Sequence, residues 1–358
     1  MTKRTEFWTN FTSRDPREAA TEAARLEADG WDGAVMVDSQ AMYPEVWTYL
    51  ATCAQATSRI TLATGVTNPI TRHPSVTAAA AASLQVISNG RAVLGIGRGD
   101  SALAYVGASP MPIARFEHYL EVLQTYLRGE MVSMEDAGSM LVDARIGFRD
   151  LAIESGPAGS SLKWLADYDV PKVPIESFST GPKAIASSAR VAETVVLGLA
   201  ADINRVAWGV DLARTAAADA GKEVGVGCVV IAMPQEDIRI AREIVKPTVA
   251  TMARFSVMNN KVIGPATDAQ AQIMLKIAEV YDMNRHGEQA PQARVVTDEF
   301  VDQFAIVGSV DTCVDRLSEF MDLGLARMTL VMPYTRTPEV AHSYKLLVNE
   351  VLPRLRAS

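Results

Sequence analysis

The chain has 358 residues, 48% of them apolar and 21% charged, and a formal net charge of -8 at pH 7. This is the composition of an ordinary globular protein, and because no basic stripe is present we expect no nucleic-acid partner. The polar N-terminal stretch lacks the apolar core of a signal peptide and no apolar run has the length of a membrane span, so we expect a cytoplasmic protein without a membrane partner.

Short apolar segments alternate with amphipathic segments from the start of the chain. In the first predicted helix, Asp15 has the place of an N-cap, Pro16 that of the first helical residue, and Gly30 ends the helix. The first four predicted strands are residues 6–11, 33–37, 60–66 and 92–97.

The second half of the chain continues this alternation but contains two insertions, residues 129–174 and 261–298. Connections of this length within a compact domain are usually functional or disordered, and we expect these two to shape substrate specificity as a lid. The remaining predicted strands are residues 173–178, 194–197, 224–231 and 328–332.

The strands are apolar throughout, which is typical of a parallel sheet that is covered on both faces. Their number and order fit a (β/α)8 TIM barrel better than a doubly wound sheet. We therefore predict an α/β protein with one domain over residues 1–358 and both insertions at the C-terminal mouth of the barrel. In that fold the active site lies at the C-terminal ends of the strands.

The fourth strand ends in Gly97-Arg98-Gly99-Asp100. Glycine lets a ligand approach the backbone closely, and the planar fork of Arg98 suits a phosphate. The glycine spacing is not that of a dinucleotide-binding fingerprint. The alternative is a tight turn with Arg98 on the surface.

The fifth strand ends in Ser177, Ser179, Thr180 and Gly181, directly before Pro182. Hydroxyls and free N–H groups at a helix N-terminus form an anion site. The alternative is that Thr180 only caps the helix, and both functions can coexist.

Two further strand ends carry candidate residues, and Asp100 at the fourth strand end is one as well. Gly65-Val66 closes the third strand, where a bulge would press backbone against a flat ring, although a plain exit into the loop is equally compatible. Asp38 and Asp100 have positions suited to acid–base work or ligand binding, or else to capping a helix or a turn.

Metal and hydrolase chemistry are disfavoured. The four histidines and the three cysteines show no metal-ligand spacing. The chain has no G-x-S-x-G elbow, and no serine or cysteine is convincingly paired with a histidine.

The segments RAVLGIGRGD, LATGVTNPITRHP and ESFSTGPK, with the ending QFAIVGSVDTCVDRLSEFMDLGLARMTLVMP, together resemble the bacterial luciferase-like superfamily of flavin and deazaflavin oxidoreductases. The resemblance covers nearly the whole chain. The segment GVTNPITRHP is similar to methylenetetrahydromethanopterin reductases, which bind a deazaflavin. The superfamily often carries a non-prolyl cis peptide at this bulge, and in this chain it would fall at Gly65–Val66.

Other residues resemble luciferase itself. By that resemblance Arg98, Ser177 and Thr180 would hold the phosphate of FMN. Alcohol and sugar dehydrogenases of the superfamily usually carry Asp-His after the second strand, whereas this chain has Asp38-Ser39, which disfavours alcohol oxidation. Asp100 falls where those enzymes have an acidic residue and is a candidate proton donor.

The resemblance implies a flavin-dependent monooxygenase that uses reduced FMN from a separate reductase, oxygen and a small organic substrate. A coenzyme F-420-dependent reductase, passing a hydride to an imine or activated alkene, is the alternative; a non-catalytic flavin-binding protein is a third. The resemblance also implies a homodimer. The predicted catalytic residues are Asp38 and Asp100, and the predicted cofactor-binding residues are Gly65, Val66, Asn68, Gly97, Arg98, Ser177, Ser179, Thr180, Gly181 and Gly198.

Overall fold

The computed structural model describes residues 4–141, 156–285 and 290–357. His286 and part of each predicted insertion lie outside these ranges. Within them, none of the helices is long and apolar enough to cross a membrane.

Parallel strands form a closed eight-stranded barrel, as the alternation of the sequence predicts. The barrel strands are β1 (Glu6–Asn10), β2 (Gly33–Met36), β3 (Thr61–Thr64), β4 (Ala92–Ile96), β7 (Ile175–Ser179), β8 (Thr194–Leu197), β9 (Gly225–Pro234) and β13 (Arg327–Val331). They pair in this order, and β13 pairs again with β1.

Helices follow the strands and cover them. Gly30, at the end of the first helix, has a φ of 85°, which favours glycine. Residues 16–18 form a turn before that helix, so it begins later than Asp15-Pro16 predicts. These helices are α1 (Ala19–Ala28), α2 (Val46–Gln55), α3 (Pro74–Ile87), α4 (Ser101–Ala104), α5 (Ile113–Leu127), α7 (Pro182–Val191), α8 (Ile203–Asp219), α9 (Ile238–Arg254) and α13 (Val310–Met321), with α14 (Pro338–Leu346) and α15 (Leu352–Ala357) at the C-terminus.

The described parts of the insertions contain short elements. Two antiparallel ribbons are present, one in the first insertion and one at the start of the second. The first insertion contains β5 (Val132–Ser133), α6 (Met134–Ser139) and β6 (Gly159–Ser160), and the second contains β11 (Lys261–Val262), α10 (Asp268–Val280) and α11 (Pro291–Arg294). Next to the second insertion lie β10 (Val257–Met258), which pairs with β11, α12 (Asp298–Phe304) and β12 (Ile306–Gly308), which pairs with β9.

The chain forms two compact units. The first contains Met1–Thr12, Arg25–Val35 and Ser177–Ser358, and the second contains Ser13–Ala24 and Met36–Glu176. The organisation of the whole chain as one domain stays a prediction.

In the first unit, the buried side chains of Trp8 and Arg327 stack on each other beside the half-buried Phe178. The guanidinium carbon of Arg327 lies 3.9 Å from the centroid of the Trp8 ring and 5.8 Å from that of Phe178. A β-carbon on Gly33 would lie 2.4 Å from the Trp8 ring, so only glycine leaves room for the indole. Because side chains alternate along a strand, Phe178 faces this stack and its neighbours Ser177 and Ser179 face the other side of β7.

Candidate functional site at the ends of the barrel strands

In the second unit, Asp38 follows β2 and forms a buried ion pair. Its Oδ2 accepts a hydrogen bond from Nη1 of Arg72 at 2.5 Å, and Asp38 is 5% exposed. Nη2 of Arg72 lies 3.1 Å from Oε1 of Glu45, and Nη1 lies 3.3 Å from Oγ1 of Thr67. Burial, the largest influence, lowers the pKa of Arg72, but Asp38 and Glu45 outweigh it and raise that pKa above its ordinary value. The arginine therefore stays charged and ties Asp38 to two neighbouring segments.

The backbone that follows β3 is hydrogen-bonded to the ends of both neighbouring strands, β2 and β4. The peptide bond between Gly65 and Val66 is cis, as the resemblance predicts. The Gly65 N–H donates to the carbonyl of Met36 at 2.7 Å, and the Gly97 N–H donates to that of Thr67 at 3.0 Å. Gly65 and Val66 are half-buried and Gly97 is buried. The Gly65–Val66 peptide is thus firmly held and partly accessible.

Asn68 shapes the loop that leaves β3. Its Oδ1 accepts hydrogen bonds from the backbone N–H groups of Ile70 and Thr71, both at 3.0 Å. Its buried Nδ2 has no hydrogen-bond partner among the residues that the structure describes. The side chain therefore closes a turn, and a cofactor contact by Asn68 stays a prediction.

Arg98 lies in the segment between β4 and α4. Its Nε donates to the carbonyl of Met111 at 2.6 Å, which fixes the side chain. Arg98 is half-buried, and within the described ranges no carboxylate forms an ion pair with it. Burial lowers the pKa of Arg98 from its ordinary value. A charged group that is partly removed from water and lacks a counter-ion is suited to bind a phosphate.

Gly99 and Asp100 connect Arg98 to α4. Gly99 has a φ of 93°, and a β-carbon there would lie 2.2 Å from Cδ1 of Leu103. The half-buried Asp100 precedes the first residue of α4, but its carboxylate does not cap the helix. The structure therefore shows no capping of α4 by this carboxylate, and the alternative that it caps a turn stays open.

In the first unit, the hydroxyls at the end of β7 face the helix that follows. Oγ of Ser188, on α7, lies 2.7 Å from Oγ of Ser177 and 3.0 Å from Oγ of Ser179. All three serines are buried. This arrangement does not support phosphate binding by the hydroxyls of Ser177 and Ser179, and that role stays a prediction.

The N-terminus of α7 is more open. Gly181 is the N-cap residue, so Thr180 does not take that position, and both residues are half-buried. A β-carbon on Gly198 would lie 3.1 Å from Cγ2 of Thr180, so Gly198 gives Thr180 room. Free backbone N–H groups at such a helix start can bind an anion.

Sequence reasoning missed Arg72 and Glu45. Asp38 and Arg72 are 34 residues apart in the sequence, and no spacing rule connects them. The available signal was the position of Arg72 in the same loop as Asn68 and His73.

A family model and a known relative both match most of the chain. The model of the luciferase-like monooxygenase family matches residues 4–327. The 5,10-methylenetetrahydromethanopterin reductase of Methanolobus tindarius is 29% identical over 359 residues, which cover 97% of this chain and 99% of the relative.

Two solved structures share the fold. The coenzyme F-420-dependent tetrahydromethanopterin reductase from Methanopyrus kandleri has a TM-score of 0.73 and 22% identity, covering 98% of this chain and 99% of that chain. An F-420-dependent secondary alcohol dehydrogenase in complex with an F-420–acetone adduct has a TM-score of 0.71 and 15% identity, covering 99% of this chain and 100% of that chain.

Proposed function

The chain belongs to the luciferase-like monooxygenase family of oxidoreductases, and we propose that it is a deazaflavin-dependent reductase that passes a hydride from reduced coenzyme F-420 to an imine or activated alkene. The observation that carries this proposal is the similarity to a methylenetetrahydromethanopterin reductase over nearly the full length of both chains. It replaces FMN monooxygenation, the first expectation from the sequence, as the preferred function.

Within the second unit, the residues at the ends of β3 and β4 fit a flat cofactor with a phosphate. Arg98 would hold the phosphate, because its guanidinium has a fixed Nε and no carboxylate partner among the described residues. The half-buried Gly65–Val66 peptide would support the ring, since glycine places no side chain in its way. In the first unit, the N-terminus of α7, at Thr180 and Gly181, is by itself a candidate anion site.

Reduced coenzyme F-420 supplies a hydride when it is bound. Reduction of a C=N or C=C bond also needs one proton, which the chain or the solvent must deliver to the second atom of that bond. Asp100 is the candidate donor, because its carboxylate is half-buried and is not used to cap α4. The surrounding strand ends would orient the substrate and exclude water.

FMN monooxygenation is the second candidate, favoured by the arginine at position 98, which resembles the phosphate grip of luciferase. It would require a separate flavin reductase. A non-catalytic flavin-binding protein is the third, and it predicts cofactor binding without turnover on any substrate.

Titration of the purified protein with coenzyme F-420 and with FMN, followed by absorbance and fluorescence, tests the proposal. We expect F-420 to bind more tightly than FMN, and the bound reduced deazaflavin to be oxidised anaerobically by a panel of imines and activated alkenes. Oxygen consumption with reduced FMN, without oxidation of reduced F-420, would establish the monooxygenase instead.

The homodimer is also a proposal. Light scattering at micromolar concentration would contradict it by giving the 38.6 kDa mass of one chain.

A further inference from the structure

The guanidinium of Arg72 joins three segments of the second unit. It contacts Asp38 after β2, Thr67 after β3 and Glu45, the N-cap residue of α2. The backbone carbonyl of Arg72 also accepts a hydrogen bond from the Tyr119 hydroxyl at 3.2 Å. Both the side chain and the backbone of Arg72 are therefore fixed.

The pair between Arg72 and Asp38 is shielded from water. The side chain of Asp38 is 4% exposed and that of Arg72 is 18% exposed, and Oδ1 of Asp38 lies 3.5 Å from Nη2 of Arg72. Both carboxylate oxygens thus face the same guanidinium. A carboxylate that accepts such charge-assisted hydrogen bonds and is closed to solvent is suited to orient its partner and poorly placed to give a proton to a substrate.

Thr67 connects this pair to the predicted ring support. It immediately follows Val66, its Oγ1 lies 3.3 Å from Nη1 of Arg72, and its backbone is hydrogen-bonded to Gly95 and Gly97 of the neighbouring strand end. Displacement of the guanidinium would break the hydrogen bond between Arg72 and the Thr67 side chain, which holds the segment that contains the Gly65–Val66 peptide.

We propose that Arg72 is a positioning residue that, anchored by Asp38, holds the Gly65–Thr67 segment in place for the cofactor ring, and that Asp38 is not the proton donor. This inference rests on the proposed function and deepens it. Of the two predicted catalytic residues, Asp38 and Asp100, it leaves Asp100 as the proton donor. Asp38, Arg72 and Thr67 then act together, and the effects of substituting them on cofactor binding are expected to be non-additive.

The test compares Arg72→Lys, Arg72→Gln, Asp38→Asn and Thr67→Val with Asp100→Asn. The control is Arg128→Gln, which removes an exposed ion pair with Glu130. Readouts are the dissociation constant of coenzyme F-420, the absorbance spectrum of the bound deazaflavin, kcat as a function of pH, and thermal unfolding.

We expect Arg72→Gln and Asp38→Asn each to weaken F-420 binding about tenfold or more, with the double variant no weaker than the worse single one. Arg72→Lys should restore part of the affinity, and Thr67→Val, which keeps the ion pair, should weaken binding in the same direction. Asp38→Asn should keep the wild-type shape of the pH profile of kcat. Asp100→Asn should lower kcat about 100-fold while binding F-420 normally.

The inference fails if Asp38→Asn removes a limb of the pH profile and lowers kcat at unchanged affinity, because Asp38 would then be the acid. It also fails if folded Arg72→Gln and Thr67→Val bind the cofactor as the wild type does. Failure of the proposed function looks different, since the wild type itself would not bind F-420. FMN is then the probe for the same variants, and equal FMN affinity in all of them would overturn the role of Arg72.

Discussion

Ser188 Oγ lies 2.7 Å from Ser177 Oγ in the buried interface between α7 and β7. Since Ser179 Oγ lies 3.0 Å from the same atom, the two strand serines share one helix partner. The sequence run that resembles a phosphate grip is therefore divided. Its serines secure the helix, while Thr180 and Gly181 lie at the helix start.

Substitution of Ser188 tests whether Ser177 and Ser179 stabilise the fold without binding a phosphate. We expect Ser188→Ala to lower the free energy of unfolding by about 1–3 kcal/mol, because two buried hydroxyls lose their partner. Affinity for a phosphate-bearing cofactor should stay within about twofold of the wild type, since no binding group is removed. Urea unfolding and cofactor titration of the same preparation measure both. A large loss of affinity in a folded Ser188→Ala variant would show that the serines do serve the phosphate.

Arg98→Gln should weaken binding of a phosphate-bearing cofactor about 10- to 100-fold, because charge-assisted hydrogen bonds contribute about 1.5–3 kcal/mol. The matched measurement uses a riboflavin-type ring without phosphate, whose affinity should not change. Arg128→Gln is the control for a general loss of positive charge. Equal weakening of both ligands would mean that Arg98 acts on the ring or on the fold.

Gly33→Ala tests the packing of the barrel interior. Its new methyl would lie 2.4 Å from the buried Trp8 ring, too close for two carbon atoms, so Trp8 or the strand must move. We expect a loss of about 3 kcal/mol in the free energy of unfolding, at the upper end of typical overpacking costs. Combining the change with Trp8→Leu should cost less than the sum of the losses of the two single variants, because the clash is counted only once. Additive effects of the two substitutions would contradict the predicted clash.

The barrel could be predicted because strands that are buried on both faces have uninterrupted apolar sequences between the helices. Some strand boundaries could not be predicted. β9 continues to Pro234, beyond the predicted end at residue 231, because β12 pairs with residues 232–234 from a distant part of the chain. The hydrophobic periodicity of a segment does not show which distant segment it pairs with.

The candidate site shows the same division between local and distant information. Gly99, with its positive φ and its close approach to Leu103, could be suspected from the glycine-rich run alone. The partners of Asp38 and Ser177 could not, since Arg72 and Ser188 reach them only through the fold. Residue type at a strand end predicts which groups are present, and tertiary contacts decide which of them are already engaged.

The three cysteines are expected to be unreactive in the native protein. All are buried, and burial raises the pKa of Cys228 and of Cys313 from 9.0 to about 12, and that of Cys53 in the same direction. A thiol-specific reagent at pH 8 should modify them only on unfolding, whereas in denaturant all three should react at once. Because the folded pKa values are raised, keeping these thiols protonated favours the folded state. This contribution to the free energy of unfolding is complete below pH 9 and is lost as the pH rises towards 12. Rapid labelling of native protein would contradict this burial.

Arg205 anchors the start of the second insertion, and its removal should loosen that segment. The side chain is 1% exposed, and its guanidinium donates to the carbonyls of Ile263 and Pro265 at 2.9 and 2.5 Å and to Ser256 Oγ at 2.8 Å. Burial, the largest influence, lowers its pKa. Arg205→Met would leave these acceptors without their donor, at a local cost of about 3 kcal/mol.

Trypsin provides the measurement, because the exposed Lys261 lies in β11, inside the anchored hairpin. A local loss of about 3 kcal/mol corresponds to about a 100-fold rise in the population of the open hairpin, and cleavage after Lys261 should accelerate accordingly under native conditions. Arg214→Met is the matched control, since Arg214 also donates to two backbone carbonyls, those of Leu323 and Gly324, but is exposed. Faster cleavage at Lys261 in Arg205→Met alone would show that this hairpin is stabilised by a buried arginine, and equal cleavage rates in both variants would show that its stability comes from other contacts.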